Sequence, residues 1–320
     1  PLTLKPYENP EQYRSLAWWV DLPVYKEVDE ILKSLKNNQV TLIRSGTGSG
    51  KTVLVPKIVA HYYNYQKKIV TTIPKRVIAR GAANTAAKGL DVKLGKEVGY
   101  FFAGEKNTTK KTKLIYTTPG SLISIFSHNH EDPDLNEYSA IIIDEAHERS
   151  VETDTILLLM KKLILRRPDI KLIIMSATVN LDLFRNYFPK TEFKFGEVDA
   201  GSKPLYPIQE HWLSRNKPST DWQKDAVERV INILETTNIG DILVFITAST
   251  DGVKMCDNIR VSIKDLQKSI CLILHAGTLK EEQDLAIDPI KYKSHPDGPY
   301  ERKIVLATNV AESSITVKDA

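Results

Sequence analysis

Cysteine, methionine and long apolar runs are what this 320-residue sequence has least of. Its two cysteines, Cys256 and Cys271, argue against a disulfide scaffold or a zinc site and suit a reducing compartment. No apolar stretch approaches the ~20 residues that span a bilayer, and no signal peptide opens the chain, so no membrane partner is expected. Neither charge sign dominates: 44 Lys and Arg stand against 40 Asp and Glu, a net charge of +4. That balance permits a polyanionic partner without requiring one. What is present is 42% hydrophobic and 26% charged, the composition of a soluble globular protein with length for about two domains. The chain opens on Pro1 and not on Met, which reads as a trimmed N-terminus.

Two short stretches carry the chemistry. Residues 144 to 149 read Asp-Glu-Ala-His-Glu-Arg, directly after Ile141, Ile142 and Ile143. A run of branched apolar residues predicts a buried parallel strand. Open α/β sheets bind ligands at the carboxyl ends of such strands. Asp144 is placed there to hold magnesium, and Glu145 to orient and deprotonate a water. The plainer reading is an acidic turn that starts a helix. Residues 45 to 52, Ser-Gly-Thr-Gly-Ser-Gly-Lys-Thr, supply the missing half. They follow a strand-like Val40–Ile43 segment and precede an apolar-periodic one. That is the strand–loop–helix setting of a phosphate loop, whose plainer alternative is a flexible Gly/Ser loop. Gly46, Gly48 and Gly50, with Thr47 and Ser49 between them, let backbone N–H groups turn inward toward an anion. Lys51 can reach the β- and γ-phosphates, and Thr52 can ligate magnesium. Together the stretches predict binding and hydrolysis of ATP or another NTP with Mg2+.

The rest of the chain alternates. Residues 1–38 read as a helical lead-in. Strands are predicted at 40–44, 68–73, 113–117, 139–143, 171–175 and 193–197, with helices at 51–65, 76–89, 119–127, 150–166 and 181–187. Residues 198–207 read as a linker, with the boundary drawn at 201–207. A second block then places helices at 220–236, 250–265 and 279–287, and strands at 241–247, 270–274 and 302–307, with 288–301 a loop. Such alternation predicts an α/β fold with mostly parallel sheets flanked by helices. The expected domains are 39–200 and 208–320.

In order, these motifs resemble those of the DEAH-box helicases of superfamily two. Leu22-Pro23-Val24-Tyr25, Thr72 to Val77, Glu97 to Tyr100, Thr118-Pro119-Gly120, Asp132 to Leu135, Asp144 to Arg149, Met175 to Thr178, Ile242 to Thr247 and Ala307 to Thr316 all fall in family positions. The resemblance covers nearly the whole chain and implies two RecA-like domains. It implies that His147 links hydrolysis to the second domain and that Ser176 and Thr178 sense the phosphate end and pass on closure. It implies nucleic-acid phosphate contacts for Arg76, Thr118, Thr247, Thr308 and Asn309, with RNA as the partner, 3′-to-5′ movement and room for a protein activator. Plain helix capping is the competing role for the hydroxyl residues.

Three departures qualify the resemblance. Thr85 stands where the family places a base-stacking arginine, and residues 283–289 hold no aromatic, so broad NTP use is expected. The family's arginine motif that follows the Ala-Thr-Asn segment does not occur before Ala320. The second domain therefore reads as truncated and the turnover of this piece as slow, since such arginine fingers are worth roughly 10³–10⁵ in rate. Ser45 and Lys75 replace the family's Gly and Arg, the mark of a divergent member and, as a guess, a viral one. An intracellular site, cytoplasmic or nuclear, or a virion if viral, is expected. The competing functions are a DNA-directed or non-unwinding translocase and a non-catalytic nucleic-acid-binding fragment.

Overall fold

Branched apolar residues build the centre of the first unit, Pro1–Ile208 by its internal contacts. The computed structural model describes residues 11, 17–46, 48–128, 132, 134–177, 181–201, 207–212, 221–262, 268–275, 277–288 and 290–309. Strands β1 (Val40–Arg44), β2 (Lys68–Thr72), β3 (Val98–Phe102), β4 (Glu105–Asn107), β5 (Leu114–Thr117), β6 (Tyr138–Ile143), β7 (Lys171–Ser176) and β8 (Phe195–Asp199) form one sheet. Its order is β4-β3-β5-β2-β6-β7-β1-β8. Only the β3–β4 pair is antiparallel.

Helices cover both faces. After a 3-10 turn at Ala17–Asp21 come α1 (Pro23–Lys26), α2 (Val28–Asn37), α3 (Lys51–Tyr62), α4 (Arg76–Gly89), α5 (Pro119–His128), α6 (Val151–Arg166) and α7 (Leu181–Tyr187). Side chains alternate across a strand. Ile142 and Ile173 therefore join one core with Leu54, Ile58 and Ala83 from α3 and α4. Ile141 and Ile174 join the other with Ile156, Met160 and Phe184 from α6 and α7. Each such isoleucine is fully buried, and cutting one to Ala costs about 2–5 kcal/mol. Local signals set the helix ends. Ser150 caps α6 by accepting the Thr153 N–H at 3.1 Å. Asn64 and Tyr65, at φ +50° and +56°, end α3 sooner than the expected 65.

The second unit, Gln209–Ala320, has its own sheet. Helix α8 (Trp222–Thr236), β9 (Ile242–Phe245), α9 (Ser249–Ser262), β10 (Ser269–Leu274), α10 (Lys280–Ile287) and β11 (Arg302–Ala307) alternate as expected. The strands run parallel in the order β10-β11-β9. Val227, Val230, Met255 and Ile259 pack on one face, and Ala286 of α10 joins the core on the other.

The structure corrects several expectations. Strands β3 and β4 were not predicted. Gly99 weakens the strand pattern of β3, and it is there because a Cβ would lie 2.3 Å from the Asn107 carbonyl oxygen of β4. Strand β8 runs through Val198 and Asp199, taking both from the expected linker, of which residues 202–206 lie outside the described ones. A 3-10 turn, Lys291–Ser294, interrupts the expected loop 288–301. The two cysteines are paired with each other. Cys256 on α9 and Cys271 on β10 form a disulfide, their Cα atoms 5.9 Å apart. The helix packs its buried face onto the strand that follows it, which brings the two side chains together.

Candidate nucleotide site

The carboxyl ends of β1, β6 and β7 meet where the phosphate loop begins. Ser45 N–H donates to the Ser176 carbonyl at 3.0 Å, and Gly46 N–H donates to the Gly201 carbonyl at 2.9 Å. The loop turns at Gly48 and Gly50, φ +77° and +86°. Gly50 is the N-cap of α3 and offers no side-chain cap. The first N–H groups of α3 therefore face outward, which favours an anion. Ser49 Oγ donates to Ser45 Oγ at 3.0 Å, so the unusual Ser45 is used inside the loop. Thr47 lies outside the described residues.

Asp144 and Glu145 leave β6, which β7 separates from β1. Asp144 is buried and fully engaged. Its Oδ2 accepts from Thr52 Oγ1 at 2.6 Å, and its Oδ1 accepts from Glu145 N–H at 2.8 Å. Burial, and then the Glu145 charge beside it, push the Asp144 carboxyl up to about 7, against the pull of Lys51 and Thr52. Glu145 sits at φ +52°, a left-handed conformation rare for a side-chain-bearing residue. That turn aims its carboxylate back at the loop. Glu145 Oε1 lies 3.2 Å from Lys51 Nζ, with the two side chains 8% and 6% exposed.

His147 stands between this pair and β7. Its Nδ1 is 3.4 Å from Glu145 Oε2 and 3.4 Å from the Ala177 N–H. A bare Nδ1 accepts from Ala177; a protonated one donates to Glu145. The ring therefore stands between the Glu145 carboxylate and Ala177. Ser176 is buried at the end of β7, and Thr178 lies outside the described residues. Arg149 is spent locally, donating to both Asp154 oxygens at 2.7 and 2.8 Å.

The remaining candidates sit at strand ends. Arg76 is exposed at the start of α4, after β2. Thr118 precedes α5, its Oγ1 3.0 Å from Ser121 Oγ. In the second unit, Thr247 Oγ1 donates to Asp251 at 2.7 Å, and Thr308 N–H donates to the Leu274 carbonyl at 3.0 Å. Thr308 and Asn309 follow β11, and Thr247 follows its neighbour β9. Thr85 turns onto its own helix, donating to the Gly81 carbonyl at 3.0 Å.

Sequence reasoning missed the supports of the loop. Val24 N–H donates to the Ser49 carbonyl at 3.3 Å, and a Cβ on Gly50 would lie 2.5 Å from Leu22 Cδ1. Gly201, at φ +83°, leaves the space that Pro23 fills, where a Cβ would lie 2.3 Å from Pro23 Cβ. The one sequence signal was the Leu-Pro-Val-Tyr segment itself.

The residues present fit a magnesium ion with a nucleoside triphosphate. Among the described residues no group of three or more His, Cys, Asp or Glu could hold a metal. Magnesium rarely needs one: a hydroxyl and one carboxylate, such as Thr52 and Asp144 would offer, can complete its shell with phosphates and waters. No helix among the described residues is long and apolar enough to cross a membrane.

A strand-held phosphate loop facing an Asp-Glu pair defines a P-loop nucleotide-binding fold. Comparison with known proteins narrows the class. Residues 26–185 match the DEAD/DEAH box helicase family, and the chain belongs to it. It is 37% identical over 322 residues to a protein of Acanthamoeba polyphaga mimivirus named as an ATP-dependent RNA helicase, with 99% of this chain and 44% of that protein covered. It is 35% identical over 309 residues to the ATP-dependent RNA helicase HrpA of Borreliella burgdorferi, covering 93% of this chain and 34% of the other. The chain thus spans less than half the length of these relatives. The crystal structure of the Escherichia coli DEAH/RHA helicase HrpB matches 93% of this chain and 36% of its own, with a TM-score of 0.77 and 26% identity. The mostly parallel sheets flanked by helices are those of helicase RecA-like domains.

Proposed function

We propose that this chain is the nucleotide-hydrolysing part of an NTP-dependent RNA helicase, coupling hydrolysis to movement along single-stranded RNA and to duplex unwinding. The observation that carries the reading is the pair of contacts Thr52–Asp144 and Lys51–Glu145, which unites the phosphate loop with the strand-end carboxylates. When bound, magnesium supplies the positive charge that neutralises the transferring phosphoryl group. Thr52 and Asp144 would hold it. Lys51 is the lysine paired with Glu145, and phosphates would give it a second partner. A Glu145 carboxylate released from Lys51 is free to orient a water and take its proton. Gly46, Thr47, Gly48, Ser49 and Gly50 would cradle the phosphates.

His147 and Ser176, with Thr178, would pass the state of this site onward. Arg76 and Thr118 in the first unit, and Thr247, Thr308 and Asn309 in the second, would hold RNA phosphates, which position a strand without reading its sequence. The names of the mimivirus and Borreliella relatives support RNA as the substrate and ATP as a nucleotide used. A 3′-to-5′ direction and a protein activator rest on the family resemblance. The test is NTPase stimulation by single-stranded RNA and DNA of one length. Stimulation by RNA well above that by DNA is expected. Equal stimulation, or none, contradicts the RNA reading.

A further inference from the structure

A second charged surface lies at the opposite end of the strands from the nucleotide site. Three turns meet there: residues 66–68 before β2, 93–97 before β3, and 107–113 before β5. Backbone bonds knit them together. Lys113 N–H donates to the Glu97 carbonyl at 2.8 Å, and Ile69 N–H donates to the Lys113 carbonyl at 2.7 Å. The turns expose Lys67, Lys93, Lys96, Lys110 and Lys111.

The local charge is strongly one-sided although the chain as a whole is only +4. The acids nearby are engaged. Glu105 accepts from Tyr100 at 2.6 Å and pairs with Arg80 at 2.5 Å. Glu97 lies 3.4 Å from Lys96. Glu137 pairs with Lys68, and Asp169 pairs with Arg167 at 2.5 Å. Among the described residues Lys93, Lys110 and Lys111 form no ion pair.

The lysine turn is also stiff. Thr112, fully buried, accepts from Thr109 N–H at 2.8 Å and donates to the Lys96 carbonyl at 2.8 Å. Thr109 Oγ1 donates to the same carbonyl at 3.3 Å. A bare need for solubility or for edge-strand protection at β4 explains scattered lysines. It does not explain Lys110 and Lys111 raised on a loop whose Thr109 and Thr112 hydroxyls bond inward. Exposed cations without acidic partners, carried on a turn whose backbone is already held, suit a repeating anion.

We infer that this surface is a second RNA-backbone contact, outside the strand-end residues assigned above. The inference rests on the RNA reading of the previous subsection and extends it. It holds RNA through phosphates alone, so its contribution is independent of sequence and sensitive to salt.

The test is the triple variant Lys93→Glu, Lys110→Glu, Lys111→Glu, with the matching Lys→Gln variant as a milder companion. RNA binding is followed by fluorescence anisotropy across salt concentrations, with NTP hydrolysis measured without RNA. The expected result is at least a ~10-fold weaker Kd near ~100 mM salt and a slope of log K against log salt smaller by about 2. The Gln variant loses less in the same direction, and basal hydrolysis is unchanged. Wild-type Kd and slope in both variants would overturn the inference while leaving the RNA reading intact. Wild-type protein that binds no RNA would overturn both.

Discussion

The Gly46 N–H donates to the Gly201 carbonyl at 2.9 Å, tying the first glycine of the phosphate loop to the second residue beyond β8. Three segments remote in sequence thus hold one loop: Leu22 to Val24, Ser176 and Gly201. Gly201 serves because its φ of +83° disfavours any L side chain and because Pro23 occupies the Cβ position. Gly201→Ala is predicted to destabilise the first unit by about 1–3 kcal/mol. It is also predicted to raise the KM for NTP more than it lowers kcat. Pro23→Gly in the same chain should restore part of the KM. An unchanged KM in a folded Gly201→Ala protein contradicts this role.

The Cys256–Cys271 disulfide closes a short loop within the second unit. Chain-entropy reasoning for a loop of this size gives about 3 kcal/mol. Adding reductant is predicted to lower the denaturation midpoint of the second unit and spare the first. Two free thiols under non-reducing denaturation, or identical midpoints with and without reductant, contradict it.

Lys57 on α3 donates to the Gly89 carbonyl at 3.3 Å and lies 4.4 Å from the Trp19 ring centre. Burial pushes its ammonium down to about 8 from the ordinary 10.5. Between those values the folded chain binds fewer protons at this site than the unfolded one, so stability rises with pH there. Below about 8 both states carry the proton and the burial penalty is fully felt. Denaturation of wild type and Lys57→Met from pH 7 to 10.5 is predicted to show wild type gaining stability relative to the variant. Parallel curves contradict the shift.

Thr85 bonds to its own helix and offers nothing to stack on a base. The kcat/KM values for ATP, GTP, CTP and UTP are therefore predicted to agree within about tenfold, since a stacked base is worth about 1–3 kcal/mol. A preference for ATP by orders of magnitude contradicts broad use.

Much of this was legible in the sequence because the signals are local. Three isoleucines followed by Asp-Glu, and three glycines followed by Lys-Thr, each state a strand, a turn and a chemistry within ten residues. Short runs of branched apolar residues likewise told the central strands from the longer apolar-periodic helices. What stayed hidden depends on partners far along the chain. Gly201 read as linker because nothing nearby shows that its carbonyl meets Gly46. Gly99 obscured β3 because only the passage of β4 explains it. The cysteines gave a count, and the count does not say which helix face meets which strand. The lysines before β2, β3 and β5 became one surface only when the sheet order set those turns side by side.

The central claim is that Glu145, held beside Lys51 and joined to Asp144, activates the water in an NTPase site. Glu145→Gln keeps the shape and removes the base. Nucleotide binding by the variant is predicted to persist, while basal and RNA-stimulated hydrolysis fall by about 10²–10⁴-fold. Hydrolysis at the wild-type rate in Glu145→Gln would contradict the account.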